Sequence, residues 1–133
     1  SGGKYIAPQK LEMALVCDEM IEQIAVIGDQ RNFVTALAVP SFINLKNYAD
    51  KHGISYKSVE DLISNSQIKK MMTKRFDHLQ RDFSGFEKIK KFTLLPREFT
   101  IEKGEITSTL KLKRKVIQNK YKELIDKMYS SKK

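Results

Sequence analysis

At 133 residues, with 41% hydrophobic and 31% charged side chains, the chain has the make-up of one globular domain with a modest core. No apolar run approaches the roughly 18 residues of a membrane-spanning helix, the single cysteine, Cys17, excludes an internal disulfide, and no signal-peptide pattern is present, which together predict a cytoplasmic setting. The excess of 25 Lys and Arg over 16 Asp and Glu, a net charge of +9, asks for an anionic partner: nucleic acid, an acidic membrane surface or a phosphate-bearing small molecule.

Taken in chain order, Gly2-Gly3-Lys4-Tyr5-Ile6 reads as a turn and a short extended segment. Ala7-Pro8 then opens a helix whose Leu11, Ala14 and Leu15 share a face, with Pro in the first turn where its missing N–H costs nothing. The β-branched run from Ile21 to Ile27, the turn formers at 28–32 and the apolar run at 33–39 predict an antiparallel hairpin with one central strand. Pro40 stops the ladder and Ser41 caps a helix that turns Phe42, Leu45, Tyr48 and Ala49 inward and ends at Gly53. Ser58-Val59-Glu60-Asp61 resembles a capping box before a short helix through Leu62 and Ile63. A longer amphipathic helix follows, with Ile68, Met71, Met72, Phe76 and Leu79 at spacings of three and four.

Phe83-Ser84-Gly85-Phe86 breaks that helix, and residues 89–95 form a third strand, where Lys88, Lys90 and Lys91 suit a sheet edge. Residues 99–106 read as a loop or small hairpin with a turn at Lys103-Gly104. A last helix over 114–129 is expected to bury Ile117, Tyr121, Leu124, Ile125 and Met128. The fold class is therefore α+β: a small antiparallel or mixed sheet of about three strands, flanked by helices, with an extended amino-terminal segment and a carboxy-terminal helix. His52 and His78 lack ligand spacing, Met71 and Met72 read as core, and Cys17 beside Asp18 and Glu19 reads as structural, so no metal site is predicted.

The stretch that carries chemistry is Gly104-Glu105-Ile106-Thr107-Ser108-Thr109-Leu110-Lys111-Leu112-Lys113-Arg114-Lys115: a glycine, three closely spaced hydroxyls, then Lys111 with Arg114 three residues on. A lysine on a short loop before a helix is a compact point charge with three donors, suited to phosphate oxygens. By composition alone a solvated basic run at a helix entrance is the commoner reading of such a stretch. The segment Thr107 to Arg114 resembles the last signature of the adenylate-forming enzymes, in the variant of long-chain fatty acyl-CoA synthetases, where a Thr-rich segment leads to Lys-x-Lys-Arg. Most of that superfamily has Gly directly before the lysine; Leu110 stands there, as in the long-chain branch, and Ser108 stands where that branch often has Pro. Gly2 to Glu12 is similar to the tail of the hinge motif, and Leu94-Leu95-Pro96 to the Leu-Pro motif before the final loop.

This resemblance covers nearly the whole chain and implies that residues 1–133 are the mobile carboxy-terminal domain of a larger enzyme whose amino-terminal adenylate-binding domain belongs upstream. Such enzymes activate a fatty acid with ATP and Mg²⁺, both bound mainly by the larger domain, and transfer the acyl group to coenzyme A. The resemblance makes Lys111 the catalytic adenylation residue, with Thr107, Thr109 and Arg114 supporting its loop, and makes Gly2, Gly3 and Lys4 the lining of the coenzyme A passage. Arg31 and Lys4 are weaker candidates for coenzyme A phosphates, and acylation of Lys111 would delete its charge. Two rivals rest on charge alone. One is a nucleic-acid-binding module, for which the chain lacks both the aromatic-and-basic signature of common RNA folds and zinc spacing. The other is peripheral membrane contact by the basic stretch 114–133, which is compatible with a lipid substrate.

Overall fold

The computed structural model describes residues 7–130. The expected extended segment, including Gly2, Gly3 and Lys4, lies outside the described residues. The elements run α1 (Pro8–Val16), β1 (Ile21–Ile27), β2 (Val34–Pro40), α2 (Phe42–Lys51), α3 (Val59–Ser64), α4 (Ser66–Leu79), a 3₁₀ turn (Gly85–Glu87), β3 (Ile89–Leu94), α5 (Arg114–Lys120) and α6 (Lys122–Ser130).

The sheet has the order β1-β2-β3, with β1 antiparallel and β3 parallel to β2. It is thus the mixed form of the expected three-stranded sheet, with β2 central and β3 on an edge. Every residue of β2 is buried, and alternation divides its side chains between two cores. Val34, Ala36 and Ala38 join Leu11, Leu15, Leu45, Leu62, Ile68, Met72 and Phe76 beneath α1 to α4, while Leu37 and Val39 join Leu95, Phe99, Ile106, Ile117, Ile125 and Met128 on the opposite face. A strand apolar on both faces is what a sheet covered by helices on both sides requires.

The helix caps follow the sequence. Ser41 accepts from the Asn44 N–H at 3.4 Å, and the Asn65 side chain accepts from both Gln67 (2.8 Å) and Ile68 (3.1 Å). The Ser58 box is modified: Ser58 Oγ accepts from the Asp61 N–H (3.0 Å), but the Asp61 carboxylate takes the N–H of Lys57 (2.9 Å), one residue before the cap. Cys17 is exposed and donates to the Met13 carbonyl at 3.2 Å. The expected single final helix is two, broken at Tyr121, where φ −107° and ψ 23° leave the helical region. The Tyr121 ring is held edge-on to Phe99 at 6.2 Å and under the Arg97 guanidinium at 5.8 Å, and this packing overrides the apolar period that read as continuous. After the break Leu124 is 37% exposed instead of buried.

Two glutamines act as short surrogate strands. Buried Gln80 donates to the Ile89 carbonyl (3.0 Å) and accepts from the Ile89 N–H (2.8 Å), and Gln23 does the same to Phe99 at 3.1 and 2.7 Å. Each primary amide supplies one donor and one acceptor to a main-chain pair that would otherwise be orphaned. Gln80→Leu keeps the volume but strands the Ile89 N–H and C=O, and is expected to cost about 2–4 kcal/mol. A fall in the urea midpoint at unchanged m-value checks this; an unchanged midpoint rejects it.

Candidate functional site

The Lys111 segment is a tight hairpin. Ile106 and Leu112 form an antiparallel bridge, the Thr107 N–H donates to the Lys111 carbonyl (2.8 Å), and the Leu110 N–H donates to the Thr107 carbonyl (2.8 Å). The Thr107 hydroxyl accepts from the Lys111 N–H at 3.0 Å and lies 3.0 Å from the Thr109 hydroxyl. Thr107 and Thr109 therefore build the turn from inside, and the Lys111 side chain stands exposed on its outgoing strand. In such hairpins a turn is followed by one residue in the left-handed region, which re-aligns the returning strand. Leu110 occupies that place, with φ +67° and 70% of its surface exposed. Left-handed backbone costs a branched L-residue about 1–2 kcal/mol, which is why glycine suits the position.

The base of the hairpin is anchored by a side chain that sequence reading passed over. Glu105 is wholly buried, and its carbonyl accepts from the Lys113 N–H (2.8 Å), closing the hairpin one pair below the bridge. Its carboxylate takes two bonds from Arg97 (2.9 and 2.7 Å), one from the Thr100 N–H (3.0 Å) and an ion pair with Lys120 (3.4 Å). The paired hydrogen bonds from Arg97 hold the Glu105 carboxyl down to about 2 against the opposing effect of burial, with the Thr100 N–H and the charges of Arg97 and Lys120 adding to the effect. The same pairing raises Arg97. Lys120 also donates to the Lys103 carbonyl at 2.6 Å, so the turn before the hairpin and the helix after it meet at one carboxylate. The Tyr121 hydroxyl beside them is buried without a partner, and burial pushes it up.

Arg114, at the start of α5, donates to Glu12 (2.5 Å) and to the Val26 carbonyl (3.2 Å), while the other Glu12 oxygen accepts from the Val26 N–H (2.8 Å). It supports the hairpin's outgoing end by tying it to α1 and to the free side of β1. Arg31 pairs with Asp126 at 3.5 Å and stacks over the Tyr129 ring at 4.4 Å, which binds the hairpin turn to α6. Among the described residues no three of His, Cys, Asp and Glu come together to hold a metal.

Two predictions follow from this geometry. A carboxyl lowered on folding contributes stability above its unfolded pKa and loses it as pH falls through the folded value. For Glu105 that is on the order of 3 kcal/mol, lost between about pH 4.5 and pH 2. Glu105→Gln should destabilise the domain at pH 7 and flatten that acid limb in pH-dependent denaturation; a limb of unchanged steepness would be the contrary result. Leu110→Gly releases the left-handed strain and should leave stability equal or raise it by up to about 1 kcal/mol, read as a higher denaturation midpoint. A loss of stability would show that Leu110 is not strained.

The chain is 35% identical over 132 residues to long-chain-fatty-acid–CoA ligase 1 of Homo sapiens, which takes in 97% of this chain and 19% of that protein. It is 33% identical over 132 residues to the peroxisomal long chain acyl-CoA synthetase 7 of Arabidopsis thaliana, covering 96% of this chain and again 19% of the relative. The chain thus spans about a fifth of the length of these relatives. Among solved structures, the didomain of a carboxylic acid reductase from Segniliparus rugosus, in complex with AMP, superposes with a TM-score of 0.77 at 25% identity over 98% of this chain and 17% of its own. The unliganded O-succinylbenzoate coenzyme A synthetase of Bacillus subtilis shares the fold at a TM-score of 0.52 and 17% identity, over 90% of this chain and 18% of its own. The family described as the AMP-binding enzyme C-terminal domain matches residues 1–133, and the chain belongs to that family.

Proposed function

We infer that this domain works within an AMP-forming long-chain fatty acid–CoA ligase, where it delivers the Lys111 ammonium to the adenylation step. The observation that carries the reading is the placement of Lys111: an exposed cation on a hairpin whose main chain is fixed on both sides of it. In adenylation a carboxylate attacks a phosphorus already ringed by negative oxygens, so repulsion is the obstacle. A cation held where charge accumulates lowers that barrier, and removing one such donor typically costs about 10²–10³ in rate.

Fixed backbone with a free side chain suits this task. The hairpin sets the position of the Lys111 Cα, the four-carbon stem supplies reach, and the ammonium is a strongly hydrated point charge with three donors. ATP, the fatty acid and coenzyme A would be gathered chiefly by the larger amino-terminal domain, with magnesium held there too. Gly2, Gly3 and Lys4, just after the hinge, would line the coenzyme A passage when the domain turns for thioester formation. The human and Arabidopsis relatives bear the names of long-chain acyl-CoA ligases, which supports this substrate class, and they give no support to the nucleic-acid alternative.

In the full-length enzyme, Lys111→Ala should lower fatty-acid-dependent pyrophosphate exchange by about 10²-fold or more while leaving acyl transfer from supplied acyl adenylate to coenzyme A largely intact. An equal fall in both half-reactions, with the fold unchanged, would remove Lys111 from the adenylation role.

A further inference from the structure

The domain treats its free main-chain groups unevenly. On the β1 side, the Val26 N–H and C=O are taken by Glu12 and Arg114. At the start of β3, Ile89 is clipped by Gln80, and beyond its end Phe99 is clipped by Gln23. The middle of β3 has no such clip among the described residues. The Leu95 N–H donates to the Ala38 carbonyl at 2.8 Å, and with Ala36 opposite Phe92 and Ala38 opposite Leu94, the alternation of a parallel ladder sends Lys91, Thr93 and Leu95 toward β2. The main-chain groups of Phe92 and Leu94 face the other way.

That edge lies in a groove of about 610 Å³ between α4 and α6. Its floor includes Phe76 and Phe92, stacked with centroids 4.3 Å apart, and its α6 wall carries the partly exposed Leu124. Lys69 stands on the α4 wall, Lys90 and Lys91 on the strand and Lys127 on the α6 wall, against one acid, Asp77. Edge lysines ordinarily discourage strand addition. Lysines on both walls and on the strand do so selectively: they repel basic strands, leave neutral ones without compensation and attract acidic ones. The Lys90 ammonium donates to the Gly85 and Lys88 carbonyls and that of Lys91 to the Met128 carbonyl at 3.1 Å, so the exposed Lys69 and Lys127 on the two walls are the cations best placed to meet an incoming carboxylate.

We propose that the β3 edge between α4 and α6 is a docking site for an acidic, extended peptide segment of a partner protein, which adds as a fourth strand through the main-chain groups of Phe92 and Leu94. Main-chain pairing supplies affinity and the lysine rim supplies selectivity, as in other strand-addition complexes. This site is separate from the Lys111 hairpin and does not rest on the adenylation reading.

The probe is a fluorescein-labelled peptide of alternating glutamate and valine, roughly eight residues long, enough to span β3 at about 3.3 Å per residue. Anisotropy titration with this 133-residue chain should show saturable binding in the micromolar range. Lys69→Glu combined with Lys127→Glu, both on exposed side chains, should weaken it about tenfold or more, and backbone N-methylation of the peptide should abolish it. The proposal is overturned by absence of binding, by equal binding of the N-methylated peptide or of the charge-reversed variant, or by equal affinity for a lysine-valine peptide. Binding to phosphatidylserine vesicles that the acidic peptide fails to displace would likewise assign the lysines to a membrane surface and overturn it.

Discussion

A buried carboxylate bound by two cations is the constraint on which the Lys111 end of this domain depends. Glu105 has no exposed surface, and isolated from partners its charge would cost several kcal/mol in the interior. Arg97 and Lys120 come from separate segments, one just beyond β3 and one at the end of α5. The requirement to compensate one charge therefore fixes the approach of the chain to the Lys111 hairpin, the base of that hairpin and the helix that leaves it. Arg97 remains partly in water, with 38% of its side chain exposed, so the cost of burial falls mostly on Glu105, and the two-pronged geometry offsets it.

A second constraint is the small sheet. Three strands give a sheet with two edges, and only the central strand can satisfy its main chain by pairing on both sides. The domain answers with side chains that imitate a neighbouring strand: the Glu12–Arg114 pair on β1, Gln80 on Ile89 and Gln23 on Phe99. The Glu12–Arg114 pair also links the first helix to the outgoing end of the Lys111 hairpin. One ion pair thus closes a sheet edge and joins two parts of the chain about a hundred residues apart.

Features written as local pattern were legible in the sequence. The doubly apolar run of β2 and the three-four spacing of Ile68, Met71, Met72 and Phe76 give their elements directly, because periodicity and burial coincide there. The resemblance located Lys111, and the structure supplies the hairpin on which it sits. What stayed hidden is what depends on distant partners. Glu105 reads as one acid among sixteen, since nothing local says that Arg97 and Lys120 will converge on it. The break at Tyr121 is hidden for the same reason: the apolar period continues through it, and only the aromatic and cationic neighbours of the ring show where the helix yields. The signal available for Leu110 was its place before the lysine where glycine is usual in the resembling family, and the left-handed φ gives the physical cause.

The hairpin's hydrogen bonds also bear on how an ammonium could be presented and withdrawn. Moving Lys111 by opening its own loop would break the Thr107–Lys111 pair, the Leu110–Thr107 bond and the Lys113–Glu105 bond together, and would disturb a buried carboxylate whose partners hold the adjoining segments. Rotation of the whole domain breaks none of these, because every contact that shapes the hairpin lies inside the domain. On the proposed adenylation reading, a charge needed at one stage and unwanted at the next is therefore better carried by a rigid body than by a flexible loop. Glu105, Arg97 and Lys120 brace the hairpin internally, as the proposed delivery of Lys111 by a turning domain would require.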